Sequence, residues 1–173
     1  MKCFSILFLV LNITLSATAY DSLYYNIDDR LKVLFPCQPK KSDTIITMDQ
    51  YTINMVSYYC KSDSGTFWVI SNQLNDSFSI PDIADDYMKG IIIGTVEGNK
   101  GELVEEKDIL NNKVPCKSYK VKFLLRDIPY TSENLVFVFK DKSYTLSILF
   151  QDKKENNILR QLRRNFLESY TLK

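Results

Sequence analysis

Residues 51–71 read YTINMVSYYCKSDSGTFWVIS: two runs rich in aromatic and β-branched residues, 51–60 and 66–71, separated by the polar stretch Lys61-Ser62-Asp63-Ser64-Gly65. Such side chains suit the pleated, half-buried surface of a strand, and a short polar segment with a glycine lets the chain reverse. The stretch predicts a long β-hairpin and, with it, a mainly antiparallel sheet.

Upstream, Leu31, Val33 and Phe35 alternate with Lys32 and Leu34 until Pro36-Cys37-Gln38-Pro39 stops the run, which predicts a first strand ending in a rigid turn. Residues 44–48 form a second short β-branched run. Downstream, Pro81 and the cluster Asp82, Asp85 and Asp86 mark a helix start, where the positive end of the helix dipole favours carboxylates. Ile83, Tyr87, Ile91 and Thr95 continue it at helical spacing, and Gly98-Asn99-Lys100-Gly101 closes it, giving a helix near residues 80–97.

A strand over residues 102–109 then meets the turn Asn111-Asn112-Lys113. Strands over 118–125 and 134–139 flank a loop containing Pro129, and Lys140-Asp141-Lys142 turns the second into residues 143–150. In the last segment, near 155–169, Ile158, Leu159, Leu162, Phe166 and Tyr170 gather on one side of a helix while Arg160 and Arg164 fall on the other. The element order predicts an α+β fold: a largely antiparallel sheet of about six or more strands, flanked by two main helices whose apolar stripes share one core.

Residues 1–19 carry the marks of a secretory signal peptide: Lys2 as a positive n-region, an apolar stretch from Phe4 to Leu15, and Ala17-Thr18-Ala19 before a cleavage point after Ala19. The apolar run is shorter than a spanning helix needs and is interrupted by Asn12 and Thr14, so no transmembrane segment is expected after cleavage. Residues 20–173 are then expected to form a single domain in the periplasm or outside the cell.

The whole chain of 173 residues has 22 basic and 21 acidic side chains, so no overall field points to a nucleic acid. It contains no histidine, which excludes Ser-His and Cys-His nucleophile pairs and imidazole zinc sites. No phosphate-binding or dinucleotide glycine motif and no other cofactor motif is present. These exclusions favour a non-enzymatic binding module, the alternative being an envelope hydrolase or small-ligand enzyme that works without histidine.

Four features remain as candidates. Gly90, Gly94 and Gly98 recur every four residues, a bare stripe on the first helix that implies close approach to its own sheet or a smooth face for docking a partner. Arg160, Arg163 and Arg164, with Lys153 and Lys154, form either an anion patch or the solvated face of the last helix. Asp82, Asp85 and Asp86 lack the register of a calcium loop, and no metal is expected there. Cys37, Cys60 and Cys116 lie beyond the leader and allow three pairings, each leaving one thiol free. Asn75-Asp76-Ser77 matches an N-glycosylation site, which matters only in a eukaryotic secretory pathway.

Three phrases resemble landmarks of small exported bacterial proteins with the PsbP-like fold, a superfamily shared with a Ran-binding nuclear-import factor. Phe35-Pro36-Cys37-Gln38-Pro39 is similar to a Phe-Pro-Gly-x-Pro turn, Val114-Pro115-Cys116 to a Val-Pro-Gly turn, and Phe166-Leu167-Glu168-Ser169-Tyr170 to the end of the C-terminal helix. The resemblance implies an adaptor or assembly role with a protein partner in the cell envelope, and supplies no catalytic residues. Both family glycines are cysteines here, and that paired replacement implies a bond between Cys37 and Cys116, with Cys60 left as a buried thiol.

Overall fold

The computed structural model describes residues 23–48, 51–74, 81–152 and 157–173. The leader, Asn75-Asp76-Ser77 and Lys153 and Lys154 of the basic run lie outside the described residues. In chain order the elements are β1 (Leu23–Asn26), β2 (Leu31–Phe35), β3 (Lys40–Met48), β4 (Tyr51–Ser62), β5 (Gly65–Gln73), α1 (Pro81–Asn99), β6 (Glu102–Asn111), β7 (Val114–Leu125), β8 (Ile128–Phe139), β9 (Lys142–Gln151), α2 (Asn157–Glu168) and β10 (Thr171–Leu172). Seven strands form one sheet in the order β3-β4-β5-β9-β8-β7-β6, and β1-β2-β10 form a second. All pairings are antiparallel, so the α+β expectation holds.

The hairpin over residues 51–71 is β4 and β5, with Tyr59 opposite Trp68 and Cys60 opposite Phe67. Gly65 turns it with φ +139°, and a Cβ there would stand 2.6 Å from the Leu149 carbonyl oxygen. Only glycine tolerates both conditions.

The expectation of one shared core is corrected. Side chains alternate across a strand, and β8 carries the unbroken apolar run Leu135-Val136-Phe137-Val138, so both its faces need cover. Leu135 and Phe137 join Phe67, Val69, Tyr144, Leu146 and Ile148 beneath β2 and α2. Val136 points the other way and packs with Tyr119 and Val121 against Met88 and Ile92 of α1. The two helices therefore cover opposite faces of the large sheet.

The loop expected around Pro129 is also corrected. β7 and β8 run to within two residues of each other, and Arg126 and Asp127 make the reversal at φ 52° and 63°. Positive φ at both central residues is the mark of the tight hairpin turn that matches strand twist. Pro129 of β8 pairs with Leu124 of β7, and β9 reaches no further than Tyr130, so the missing N–H falls at a sheet margin.

Asp28 ties the small sheet to the large one. Its carboxylate accepts N–H bonds from Arg30 and Leu31 at 2.8 and 2.9 Å, and bonds from Lys142 Nζ at 2.7 Å and the Tyr144 hydroxyl at 2.9 Å. Arg30 in turn bonds Asp141. Burial raises the Asp28 pKa, but the bonds from Lys142, Arg30, Tyr144 and Leu31 outweigh it and hold the group below its usual 3.8. A carboxylate lowered by folding adds stability above its unfolded pKa and loses it as pH falls through the folded one. Asp28→Asn should therefore be most costly near pH 6, with the gap to wild type narrowing progressively as pH falls below about 4. Urea midpoints across that range measure it, and a gap that stays constant would contradict the assignment.

Candidate functional site

The cysteines give the first correction to the expected site residues. Cys37 is bonded to Cys60, with Cα atoms 6.0 Å apart, and Cys116 is a buried free thiol. Strand order explains this. Cys37 stands three residues before β3, which pairs with β4, and Lys40 opposes Tyr59 beside Cys60. Cys116 lies on β7, four strands from β4 and thus about 19 Å away at the usual strand spacing, far beyond disulfide reach. Burial pushes the Cys116 thiol up, and it sits 3.4 Å from the Tyr170 hydroxyl.

The glycine stripe does not approach the sheet. Cβ atoms added at Gly90, Gly94 and Gly98 would meet nothing within 4 Å, so all three face solvent. The helix instead docks through Met88 and Ile92. It is also pinned by Lys117, whose ammonium lies 2.7 Å from Asp85 and 2.6 Å from Asp108. Burial pulls Lys117 down, but Asp108 and Asp85 outweigh it and hold it above its usual value. Asp85 is thus tied up in ion pairs with Lys117 and Lys89, and no metal-binding cluster of acidic, cysteine or histidine residues is found among the described residues.

Lys117 gives an asymmetric prediction. Removing the cation with Lys117→Met leaves two carboxylates that reach water and should change stability by less than about 1 kcal/mol. Removing both anions, Asp85→Asn with Asp108→Asn, strands a buried ammonium and should cost roughly 2 kcal/mol, moderated because Asp108 is exposed. Denaturant unfolding of the two variants tests the order. Equal losses would mean that Lys117 acts through packing alone.

The arginine patch separates. Leu159, Arg163 and Phe166 fall at i, i+4 and i+7 and share the inward face of α2, so Arg163 is 2% exposed with its guanidinium 3.8 Å from the centre of the Phe150 ring. Arg160 is exposed, and Arg164 is held by Glu168 at 3.0 Å on the outer face. Ile158, expected in the apolar stripe, is 65% exposed.

The structure places a different constellation on the face that α1 only partly covers. Alternation along β5, β9 and β8 sends Trp68, Ile70, Asn72, Thr145, Ser147, Ser132 and Asn134 to that face, and cross-strand pairing lines up Tyr59, Trp68, Ser147, Asn134 and Tyr119 in one row. The amide oxygen of Asn134 accepts bonds from Ser132 at 2.9 Å and Ser147 at 2.6 Å. Thr95 of α1 donates to the Ile91 carbonyl at 2.8 Å and lies 3.1 Å from the Tyr119 hydroxyl, whose pKa burial raises.

Between these strands and α1 lies a cavity of about 370 Å³, walled by Trp68, Ile70, Phe123, Leu149 and Ile91 and floored by Asn72, Asn134, Ser132, Ser147 and Thr145. Among the described residues its lining carries amides, hydroxyls and apolar groups, with no carboxylate, ammonium, guanidinium or thiol. The Asn72 side-chain oxygen is buried and has no hydrogen-bond partner. Sequence reasoning missed this site. Its signal was polar residues at period two, Ser132 and Asn134, then Ser143, Thr145 and Ser147, on strands otherwise rich in large apolar residues.

No protein-family model matches the sequence, and no curated protein matches it. Among solved structures, the cyanobacterial PsbP of Synechocystis is similar with a TM-score of 0.62 and 12% identity, covering 91% of this chain and 96% of that one. A Pseudomonas aeruginosa protein of unknown function aligns at TM-score 0.43 and 6% identity, over 65% of this chain and 85% of that one. A Bacteroides thetaiotaomicron protein aligns at 0.46 and 12%, over 83% of this chain and 45% of that one. The chain has a PsbP-like fold, as its three sequence landmarks imply. Fold alone does not carry function.

Proposed function

We propose that this chain is an exported, non-enzymatic binding or adaptor module of the bacterial periplasm or envelope, acting as a single domain over residues 20–173 after cleavage following Ala19. The observation that carries the binding reading is the chemistry of the cavity beside α1. Neutral amides and hydroxyls under aromatic walls can orient and hold a ligand, whereas acid–base chemistry needs a group poised near neutral pH, and burial pushes the Tyr119 phenol of the lining further above it. The buried Lys117 lies elsewhere on the sheet and is locked as a cation by two carboxylates, which leaves it unsuited to act as a base.

One observation supports export: the Cys37–Cys60 bond is of a kind that persists in oxidising compartments. A photoreactive residue at Ile70, on the cavity wall, tests the reading in the native envelope. It should trap a molecule that the additional change Trp68→Ala releases. No capture, together with reproducible turnover on a substrate panel, would overturn the proposal in favour of a histidine-free enzyme.

A further inference from the structure

We infer that the cavity between α1 and the open part of the seven-stranded sheet binds a neutral sugar, an inference that rests on the binding reading above and names its ligand class. Charge comes first. A charged ligand would leave water for a lining that offers no counter-charge among the described residues, and desolvation without a partner is expensive. The ligand is therefore neutral.

Hydrogen bonding comes second. Asn72 lines the cavity with its amide, whose nitrogen donates one hydrogen to Ser143 at 3.4 Å and keeps the second for a ligand oxygen. Around it, the Ser132 and Ser147 hydroxyls spend their protons on the Asn134 oxygen and keep lone pairs that accept from a ligand, and Thr145 adds a further hydroxyl, so the floor suits a ligand carrying several hydroxyls.

Shape comes third. Trp68 and Phe123 wall the cavity with flat apolar surface, and a sugar ring pairs one apolar C–H face with a rim of hydroxyls. At about 370 Å³ the cavity falls at the lower end of small-molecule sites, which suits one or two rings.

Trp68 is the sole tryptophan of the chain, so its fluorescence reports on this cavity alone. The purified protein is titrated with glucose, N-acetylglucosamine and maltose, with glucuronate and glucosamine as charged counterparts, and with a neutral Gly-Ser-Gly peptide. At least one neutral sugar should give a saturable change in the millimolar range (~1–10 mM), about tenfold tighter than its charged counterpart. Asn72→Ala should weaken that binding about tenfold at an unchanged thermal midpoint, and Thr145→Val, which keeps side-chain volume, serves if Asn72→Ala does not fold. Saturation by no neutral sugar, equal affinity for the charged counterparts, or binding indifferent to the substitutions would overturn the inference. A response to the peptide alone would do so while leaving the cavity a binding site. Silence throughout, joined to turnover on a substrate panel, would remove the binding reading as well.

Discussion

Phe166→Ala should lower the unfolding free energy by about 4 kcal/mol, a large share of the roughly 5–15 kcal/mol available to a domain. Phe166 is 1% exposed, and its ring stands 5.2 Å from both Phe35 and Phe67 in edge-to-face contacts at 66° and 74°. It joins three elements, α2, β2 and β5, so neither neighbour can collapse into the space without leaving the other. The neighbouring stretch of helix provides an internal control. Ile158→Ala, at 65% exposure, should cost less than about 0.5 kcal/mol, although the sequence pattern assigns both residues to one apolar stripe. Urea unfolding of the pair checks this. Similar losses for the two would mean that α2 is rotated from the register described.

That contrast shows how much of the fold the sequence disclosed. Strong local signals were sufficient where neighbours in sequence are neighbours in space. The β4–β5 hairpin, the alternation of Leu31, Val33 and Phe35 in β2, and the helical period through Leu159 and Phe166 all stand. The signals failed where a decision depended on distant partners. β1 and β10 are four and two residues long, too short for periodicity to register, yet they make the second sheet with β2. Arg126 and Asp127 adopt left-handed backbone without glycine or asparagine to announce the turn.

The candidate site was the least legible part. Asn134 is 2% exposed and has its amide oxygen satisfied only because Ser132 lies two residues away and Ser147 comes from another strand directly opposite. Nothing in the order of residues reveals that register. Gly90, Gly94 and Gly98 attracted attention through their spacing, but spacing cannot say which side of a helix meets the sheet. Met88 and Ile92 settled that through burial. Arg163 shows the reverse case. Its charge suggested solvent, while its i+4 step from Leu159 placed it inward, where the face of Phe150 accommodates the guanidinium.

Loss of the Cys37–Cys60 bond should lower stability by about 3 kcal/mol, because the link closes a loop spanning 23 positions and limits the unfolded chain accordingly. Cys37→Ser and Cys60→Ser, each compared with wild type under oxidising conditions, should therefore show similar losses. Excess dithiothreitol should bring wild type to the same level while leaving either variant unchanged. Labelling separates this pairing from the Cys37–Cys116 alternative. A chain starting at Tyr20 holds three cysteines, and the native protein should resist alkylation because the free thiol is buried. After denaturation without reductant one equivalent should react, and peptide mapping should find it on Cys116. All three should react once the bond is reduced. A label on Cys60 instead would require β4 and β7 to exchange places relative to β2, an arrangement incompatible with four antiparallel pairings between them. The cysteine map therefore tests the strand order as directly as it tests the bond, and the same strand order sets Trp68 beside Ser147 and Asn134 in the wall and floor of the proposed site.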